Sequence, residues 1–523
     1  MPDRFVRTPC VLTLALALSA SVASAQSVKT VFVIAMENTN WAQNARQFTG
    51  SQQQIFQNPA APFLNGLVNG NLIVNINGVP TNISAQTSYA THYHNVGSNP
   101  TGTGLHIHPS EPNYIWSEGG SNFGVANDNQ PYGSGGTNQN NPNHLVTLLT
   151  NGGKTWKSYQ EDIDLIATSG QFVNAPGSNS LTSTVAAQGD WTVPLLNFSG
   201  NSALYVNPYN GAHQYDYAAK HNPMVFFTDS NGGNNQSNTN PLRLQYAPLQ
   251  QLQTDLANNT VADYNWITPN QFNDMHTALA GSFTYQGVTY LNNSTTSGAE
   301  KIAQGDNFLS QIVPMIMASP VYQSGNAAIV LWWDESEPDG TTNQDDFSHT
   351  IPEIVISPLA RANVAGVPYN STVDFTHSSD LRSMQKIFGV DDSFLLDAAI
   401  APDLGDLFAP DALNGPVSIN RTGYVRDRRT GQWWQQWTLT NTGATPLAGP
   451  FYVILDNLSS NATLVNATSV TNNAPAGSVY IVVPDASGGL APGASASVVL
   501  LFSNPTNQGI TYMPRALHGT VNP

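Results

Sequence analysis

The sequence predicts an α/β domain built on a mostly parallel central sheet with helices on both faces, followed by a small all-β, immunoglobulin-like sandwich. Near-continuous apolar runs such as Val28 to Met36, Ile329 to Trp333 and Ile354 to Ile356 alternate with segments of helical spacing. Strands buried on both faces of a parallel sheet read this way. Several runs stop at polar, metal-capable or nucleophilic groups, as expected at the carboxyl edge of an open α/β sheet. From Val417 onward lysine and helical periodicity both disappear, and β-rich segments are separated by turn residues. That is the texture of a sandwich of roughly 100 residues.

Taken in order, Arg4 and Arg7, the apolar run Val11 to Leu18 and the small residues Ala23-Ser24-Ala25 form a secretory signal, with cleavage expected after Ala25. Val28 to Met36 is a strand and Pro62 to Asn69 a helix. Met224 to Phe227 and Tyr264 to Ile267 are short strands. The apolar positions of Asn307 to Ser319 have helical spacing, and Asp380 to Phe388 is a helix stopped by Gly389. Gly119 to Asn141, Asn197 to Asn210 and Ser230 to Asn240 are polar surface loops, some of which border a cleft. Strands follow at Trp433 to Thr440, Phe451 to Leu455, Ser478 to Val483 and Ala496 to Phe502. The resulting division is 1–25 signal peptide, 26–410 catalytic domain, 411–416 linker and 417–523 sandwich.

Composition narrows the function. The one cysteine, Cys10, lies inside the signal, so the mature chain has neither disulfide nor thiol ligand. Charged residues are 10% of the chain and the formal charge is −17, or −18 once residues 1–25 are removed. Such a surface disfavours nucleic acid and anionic membranes. No later stretch is apolar and long enough to span a bilayer. The mature protein is expected in the periplasm or outside the cell. An anionic substrate would need a local positive centre, a metal or histidines.

The chemistry concentrates in short strings. Glu37-Asn38 follows the first strand and offers hard oxygen donors, or else a helix cap. His108-Pro109-Ser110-Glu111-Pro112-Asn113-Tyr114 stiffens a serine between prolines, a nucleophile's setting or a plain turn. Asp274 and His276 lie close together. Asp334-Glu335 ends the strand Ile329 to Trp333, and two adjacent buried acids call for a cation unless they are solvated. Ser336 to Asp339 and Asp345-Asp346 add further acids, while His221, His349 and His377 each lie beside an apolar segment.

Together these strings resemble the phosphoesterase family of phospholipases C and secreted acid phosphatases, within the alkaline-phosphatase-like superfamily. The similarity rests on VFVIAMEN (31–38), HPSEPNY (108–114), SYQEDI (158–163), KHNPMVFF (220–227), TPNQFNDMHT (268–277), GDNFLSQIVP (305–314), IVLWWDE (329–335), IPEIVISP (351–358) and THSSDLRSMQKIFG (376–389). It implies a metal held by Glu37, Asn38, Asp334 and Glu335. It makes Ser110 the nucleophile of a phosphoseryl intermediate, with Asn113 on a phosphate oxygen. His221 and His276 would bind the phosphoryl group or protonate the leaving oxygen. Asp274, His349 and His377 are further candidates; in two-metal relatives the positions of Asp274 and His377 are ligands. Glu37 and Glu335 stand where such relatives use an Asp and a His. That favours one hard divalent ion, its identity open among Ca, Mg, Mn and Zn.

The expected activity is hydrolysis of phosphomonoesters at acidic or near-neutral pH. A phospholipase C-type diesterase, with Trp116 and Trp191 as a choline-accommodating rim, is the runner-up. A non-catalytic exported binding protein on the same scaffold is the third possibility, and the sandwich is a candidate for carbohydrate or cell-surface contact.

Overall fold

The computed structural model describes residues 27–41, 54–97, 105–170, 181–292, 298–337, 349–362, 367–390, 395–409, 417–443, 446–456, 458–471 and 477–519. The signal segment 1–25, the linker 411–416 and the acids Asp339, Asp345 and Asp346 fall outside the described residues.

Eight strands form the central sheet: β1 (Thr30–Met36), β2 (Thr87–Ala90), β3 (Trp156–Gln160), β4 (Tyr246–Pro248), β5 (Tyr264–Thr268), β6 (Ala327–Trp333), β7 (Glu353–Ile356) and β8 (Tyr369–Ser371). Their order is β4-β3-β5-β1-β6-β7-β2-β8. The first five are mutually parallel. β7 runs antiparallel to both β6 and β2, and β8 is parallel to β2, so the sheet is mixed at that end.

β1 and β6 carry unbroken apolar, largely β-branched or aromatic sequence. Every residue of β6, and of β1 after Thr30, is buried. Strands with no wet face need cover on both sides. Helices α1 (Pro62–Asn69), α4 (Gln250–Asn258), α5 (Ala299–Met317) and α6 (Pro320–Gln323) pack in one group. Helices α2 (Ser110–Gly119), α3 (Leu145–Asn151) and α7 (His377–Phe388) pack in another. The α7 start is fixed by a reciprocal cap between Thr376 and Ser379, and its end by Gly389 at φ 65°.

Two segments differ from the sequence-based expectation. Pro223–Phe226 is a 3-10 turn and not a strand. Pro223 presets the helical φ at its first position, and a four-residue apolar run has no period with which to choose between strand and helix. Within the expected loop at 197–210, Phe198–Asn201 pairs antiparallel with Gln214–Tyr217.

The C-terminal residues form two antiparallel sheets. One joins Val417–Arg421, Trp433–Asn441, Ser495–Ser503 and Thr463–Leu464, with Val425–Arg426 alongside. The other joins Ser469–Val470, Val479–Val483, Phe451–Asp456 and Met513–His518. Burial alternates strictly along Trp437–Asn441 and Ser495–Ser503. Trp437, Leu439, Leu500 and Phe502 of the first sheet share one apolar cluster with Phe451, Val453 and Val483 of the second. The main cluster runs from Val28 to Phe408 and has no member in common with it. Among the described residues no helix is long and apolar enough to cross a membrane.

Candidate active site

The carboxyl ends of the parallel strands converge on one edge. β1 delivers Glu37 and Asn38, β6 delivers Asp334 and Glu335, and the loop after β5 delivers Asp274 and His276. Backbone bonds from Glu37 N to the Asp274 carbonyl (2.8 Å) and from Asp334 N to the Met36 carbonyl (3.1 Å) lock these ends together. Between Asp274 and His276, Met275 holds a left-handed backbone with φ 83°. Its side chain packs where Gly305 of α5 leaves room; a Cβ at 305 would meet Met275 Cγ at 2.3 Å. Ser110 opens α2 and is buried. A helix start favours an anion in front of it, and Pro112 is tolerated there because it sits in the first turn.

Glu37 is the hub. Its Oε2 accepts from Ser110 Oγ (3.1 Å) and its Oε1 from Tyr114 OH (2.8 Å). His221 Nε2 lies 2.9 Å from Glu37 Oε1, and His221 Nδ1 lies 3.2 Å from Asp274 Oδ2. Tyr114 stacks on the His221 ring. Asp334 Oδ1 accepts from Asn38 N (3.0 Å), and Glu335 Oε1 accepts from Asn38 Nδ2 (2.8 Å). Glu335 Oε2 accepts from Asn113 Nδ2 (3.2 Å) and faces His108 Nδ1 at 2.8 Å. Lys220 Nζ is 3.5 Å from Ser110 Oγ.

Four carboxylates, Glu37, Asp274, Asp334 and Glu335, are thus buried together. Burial pushes the Asp334 carboxyl well above its ordinary range, and the charges of Glu37 and Glu335 add to this. Burial likewise raises Glu335. It raises Asp274 to about 6 despite the His221 hydrogen bond. Burial also opposes ionisation of Glu37, but the charge and hydrogen bond of His221 outweigh it and hold Glu37 low. His221 is desolvated, yet Glu37 and Asp274 lift it to about 9. His276 is pushed down to about 4 by burial.

The residues present fit a cation. Asn38 Oδ1, Asn113 Oδ1 and Asp334 Oδ2 are buried without a hydrogen bond. Buried acceptors without donors are costly unless something positive meets them. Glu37, His221 and Asp274 each offer a ligand atom within 4.8 Å of the others.

The structure therefore brings together Glu37, Asn38, Ser110, Asn113, His221, Asp274, Asp334 and Glu335, with half-buried His276 beside His221 at 5.9 Å between ring centroids. His377 is engaged elsewhere. Its Nδ1 accepts from Trp332 Nε1 (3.0 Å) and its Nε2 donates to the Asp334 carbonyl (2.6 Å), so it supports that strand end from below. Burial pushes it down to about 3, and it is neutral. His349 is buried, and its carbonyl accepts from His94 Nδ1 (3.0 Å). Trp116 and Trp191 form no rim. Both are buried, with their indole N–H groups on Ser378 Oγ and the Ala186 carbonyl. Two apolar surfaces of that size stay in the core once their one donor is satisfied.

Sequence reasoning missed Lys220, Tyr114 and His108. Each adjoins or lies within a string already singled out, but an ammonium beside a serine is visible only once the chain has folded. A second acidic pair, Glu161-Asp162, follows β3. Glu161 accepts from Asn207 Nδ2 (2.6 Å), Asn273 Nδ2 (2.9 Å) and Asn270 N (2.8 Å). Asp162 accepts from Tyr205 OH, Asn270 Nδ2 (2.7 Å) and Asp216 N (3.0 Å).

Known proteins share parts of this chain. An acid phosphatase of Aspergillus fumigatus is 31% identical over 171 residues, which is 32% of this chain and 28% of that protein. A probable acid phosphatase of Kluyveromyces lactis is 28% identical over 172 residues, 32% of this chain and 30% of that one. The chain thus spans less than a third of the length of these curated relatives. Among solved structures, an alkaline phosphatase superfamily protein from Vibrio parahaemolyticus has a TM-score of 0.34 at 10% identity, covering 79% of this chain and 78% of its own. The lipoteichoic acid synthase LtaP of Listeria monocytogenes has a TM-score of 0.34 at 11% identity, covering 80% and 86%. The chitin-binding domain of Chi18aC from Streptomyces coelicolor has a TM-score of 0.15 at 26% identity, covering 20% and 92%. At these TM-scores the likeness fixes neither fold nor activity. The phosphoesterase family model matches residues 104–391, more than half of the chain, and spans Ser110, Asn113, Lys220, His221, Asp274 and Asp334; the chain belongs to the phosphoesterase family.

Proposed function

We propose that this protein is an exported, metal-dependent phosphoric-ester hydrolase that acts on phosphomonoesters through a phosphoseryl intermediate. One observation carries the reading: Ser110 Oγ is buried at a helix start, between a carboxylate held ionised and an ammonium. Phosphoryl transfer depends on positioning and charge stabilisation, and this pocket supplies both.

In the first half-reaction Ser110 Oγ bonds to phosphorus, its proton passes to Glu37 Oε2, and the bond from phosphorus to the ester oxygen breaks, that oxygen taking up a proton from solvent. In the second, water attacks the phosphoseryl phosphorus and loses one proton to solvent, while Ser110 Oγ leaves and recovers its proton from Glu37. Lys220 Nζ and the Ser110 amide at the start of α2 face the phosphoryl oxygens. His276, neutral and half-exposed, borders the leaving group. A divalent cation, when bound, neutralises phosphate charge and lowers the effective pKa of the serine. Glu37, Asn38, Asp334 and Glu335 would hold it, with Glu37, His221 and Asp274 as the rival seat. Cation titration of Asp334→Asn and Asp274→Asn separates the two: weakened binding in only one variant identifies the seat.

We further read residues 417–523 as an immunoglobulin-like module appended to the catalytic unit 26–410, with cell-surface or carbohydrate contact as its task. Retention of the protein on insoluble polysaccharide, lost when 417–523 is removed, checks this.

The main test is hydrolysis of p-nitrophenyl phosphate and p-nitrophenyl phosphorylcholine from acid to alkaline pH, with and without chelator, beside Ser110→Ala. The expected result is chelator-sensitive cleavage of the monoester, abolished in Ser110→Ala. Preference for the choline diester moves the protein to the phospholipases C. No turnover of either ester with metal restored leaves a hydrolase of narrow substrate range or a binding protein.

A further inference from the structure

We propose that Asp128 is a positioning residue of this site: its carboxylate holds the Lys220 ammonium against Ser110 Oγ and anchors the first turn of α2 with its other oxygen. The inference rests on the phosphoryl-transfer reading above.

Asp128 lies in the long stretch between α2 and α3, far in sequence from Lys220. Its Oδ2 accepts from Lys220 Nζ at 3.0 Å. Its Oδ1 accepts from Glu111 N at 3.1 Å. Glu111 directly follows Ser110, and its amide is one of those that a helix start leaves without an intrahelical partner. One carboxylate therefore ties the nucleophile's turn to the cation that faces the nucleophile.

The stretch itself is pinned. Gln139 N donates to the Phe226 carbonyl, and Asn138 Nδ2 donates to Thr228 Oγ1 (2.7 Å). Both contacts lie just beyond Lys220-His221. Asp128 thus approaches the ammonium from a fixed direction.

The need for such an anchor follows from the charges around Lys220. Glu37 and Asp334 attract it from inside the pocket, and the lysine side chain is only 11% exposed. A flexible four-carbon stem drawn toward two buried carboxylates would leave the serine and fill the space meant for the phosphoryl group or a cation. Asp128, 33% exposed at the rim, pulls in the opposite direction. The buried Glu111 carboxyl does not replace it: burial and the neighbouring Asp128 charge favour its neutral form. The ammonium then stands 3.5 Å from Ser110 Oγ, where a phosphoryl oxygen can meet it.

The experiment is a double-mutant cycle of Asp128→Asn and Lys220→Gln on the full mature chain. Asn at 128 keeps an acceptor for Glu111 N and removes the ionic grip. With p-nitrophenyl phosphate, Asp128→Asn is expected to lower kcat about tenfold, with a smaller change in KM, as loss of one charged hydrogen bond implies. In the Lys220→Gln background the same change should cost less than about twofold, since there is no ammonium left to position. Asp128→Glu should recover part of the loss. An unchanged kcat in Asp128→Asn, or an equal loss in both backgrounds, overturns the proposal. If the wild type cleaves no ester, the function reading has failed, and the cycle is read on calorimetric binding of inorganic phosphate. Equal losses there overturn the Asp128 proposal, and absence of phosphate binding by the wild type overturns both.

Discussion

Glu161-Asp162 follow β3 and Asp334-Glu335 follow β6, two parallel strands of one sheet. Both pairs are buried. Around the first, amide groups and a tyrosine hydroxyl donate to every carboxylate oxygen. Around the second, Asp334 Oδ2 and the neighbouring Asn38 Oδ1 receive nothing. The first pair is a joint. Asn270 and Asn273, which it grips, belong to the loop that carries Asp274 and His276. The second fits a cation: Glu335 has its donors, but Asp334 is crowded by the charges of Glu37 and Glu335 and its Oδ2 has none. Acidic residues at strand ends therefore say little by themselves; the supply of donors separates fastening from chemistry.

Substitutions should separate the two pairs. Asp334→Asn should lower kcat/KM about a thousandfold, by removing charge meant for the reacting group. Its unfolding temperature without added metal should not fall, because a like-charge conflict is relieved. A simple loss of fold would show as a lower unfolding temperature and would contradict this. Glu161→Ala should do the reverse, costing about 3 kcal/mol of unfolding free energy as its donors lose their acceptor, read by urea titration. If it left stability intact, the first pair would not be a joint.

Adding a divalent cation in a hundredfold excess over Kd to chelator-treated protein should stabilise it by about 2.7 kcal/mol. Glu37→Gln should lose that gain and Glu161→Gln should keep it, by thermal shift. The smallest effect concerns a third buried group, away from the pocket. His144 Nδ1 lies 2.8 Å from Glu118 and its Nε2 2.8 Å from Asp229, with the ring stacked on Phe227. Burial opposes its protonation, but the hydrogen bonds to Asp229 and Glu118 win and raise its pKa above 6.5. A raised folded-state pKa gives stability that is full below 6.5 and fades as pH rises through the folded value. His144→Gln should therefore cost about 1 kcal/mol near pH 6 and less near pH 9. A penalty that grows with pH would reverse the assignment.

Much of this architecture is written in local pattern. The strands at Thr30–Met36 and Ala327–Trp333 are unbroken apolar runs, and the acids after them mark the sheet edge. The helix Pro62–Asn69 has its proline and its apolar face in sequence. Ser110 stands out because prolines flank it. The rest depends on folding. Met224 to Phe227 are too few to show a period, and the proline before them decides for a turn. Lys220 sits beside a serine 110 positions away. Asp128 lies in polar, glycine-rich sequence whose texture announces only a loop. His377 and His349 adjoin apolar segments as His221 does, yet only the folded chain turns His221 toward Glu37. Trp116 and Trp191 read as surface aromatics but serve the interior.

The contact of Gly305 with Met275 makes α5 a silent partner in the chemistry. None of the site's proposed ligands or nucleophile lies on that helix, yet Met275 packs where residue 305 has no Cβ. A side chain at 305 would displace Met275 and with it Asp274 on one side and His276 on the other. A substitution at 305 is thus expected to reach the proposed pocket through Met275 and Met36 without adding any group to it.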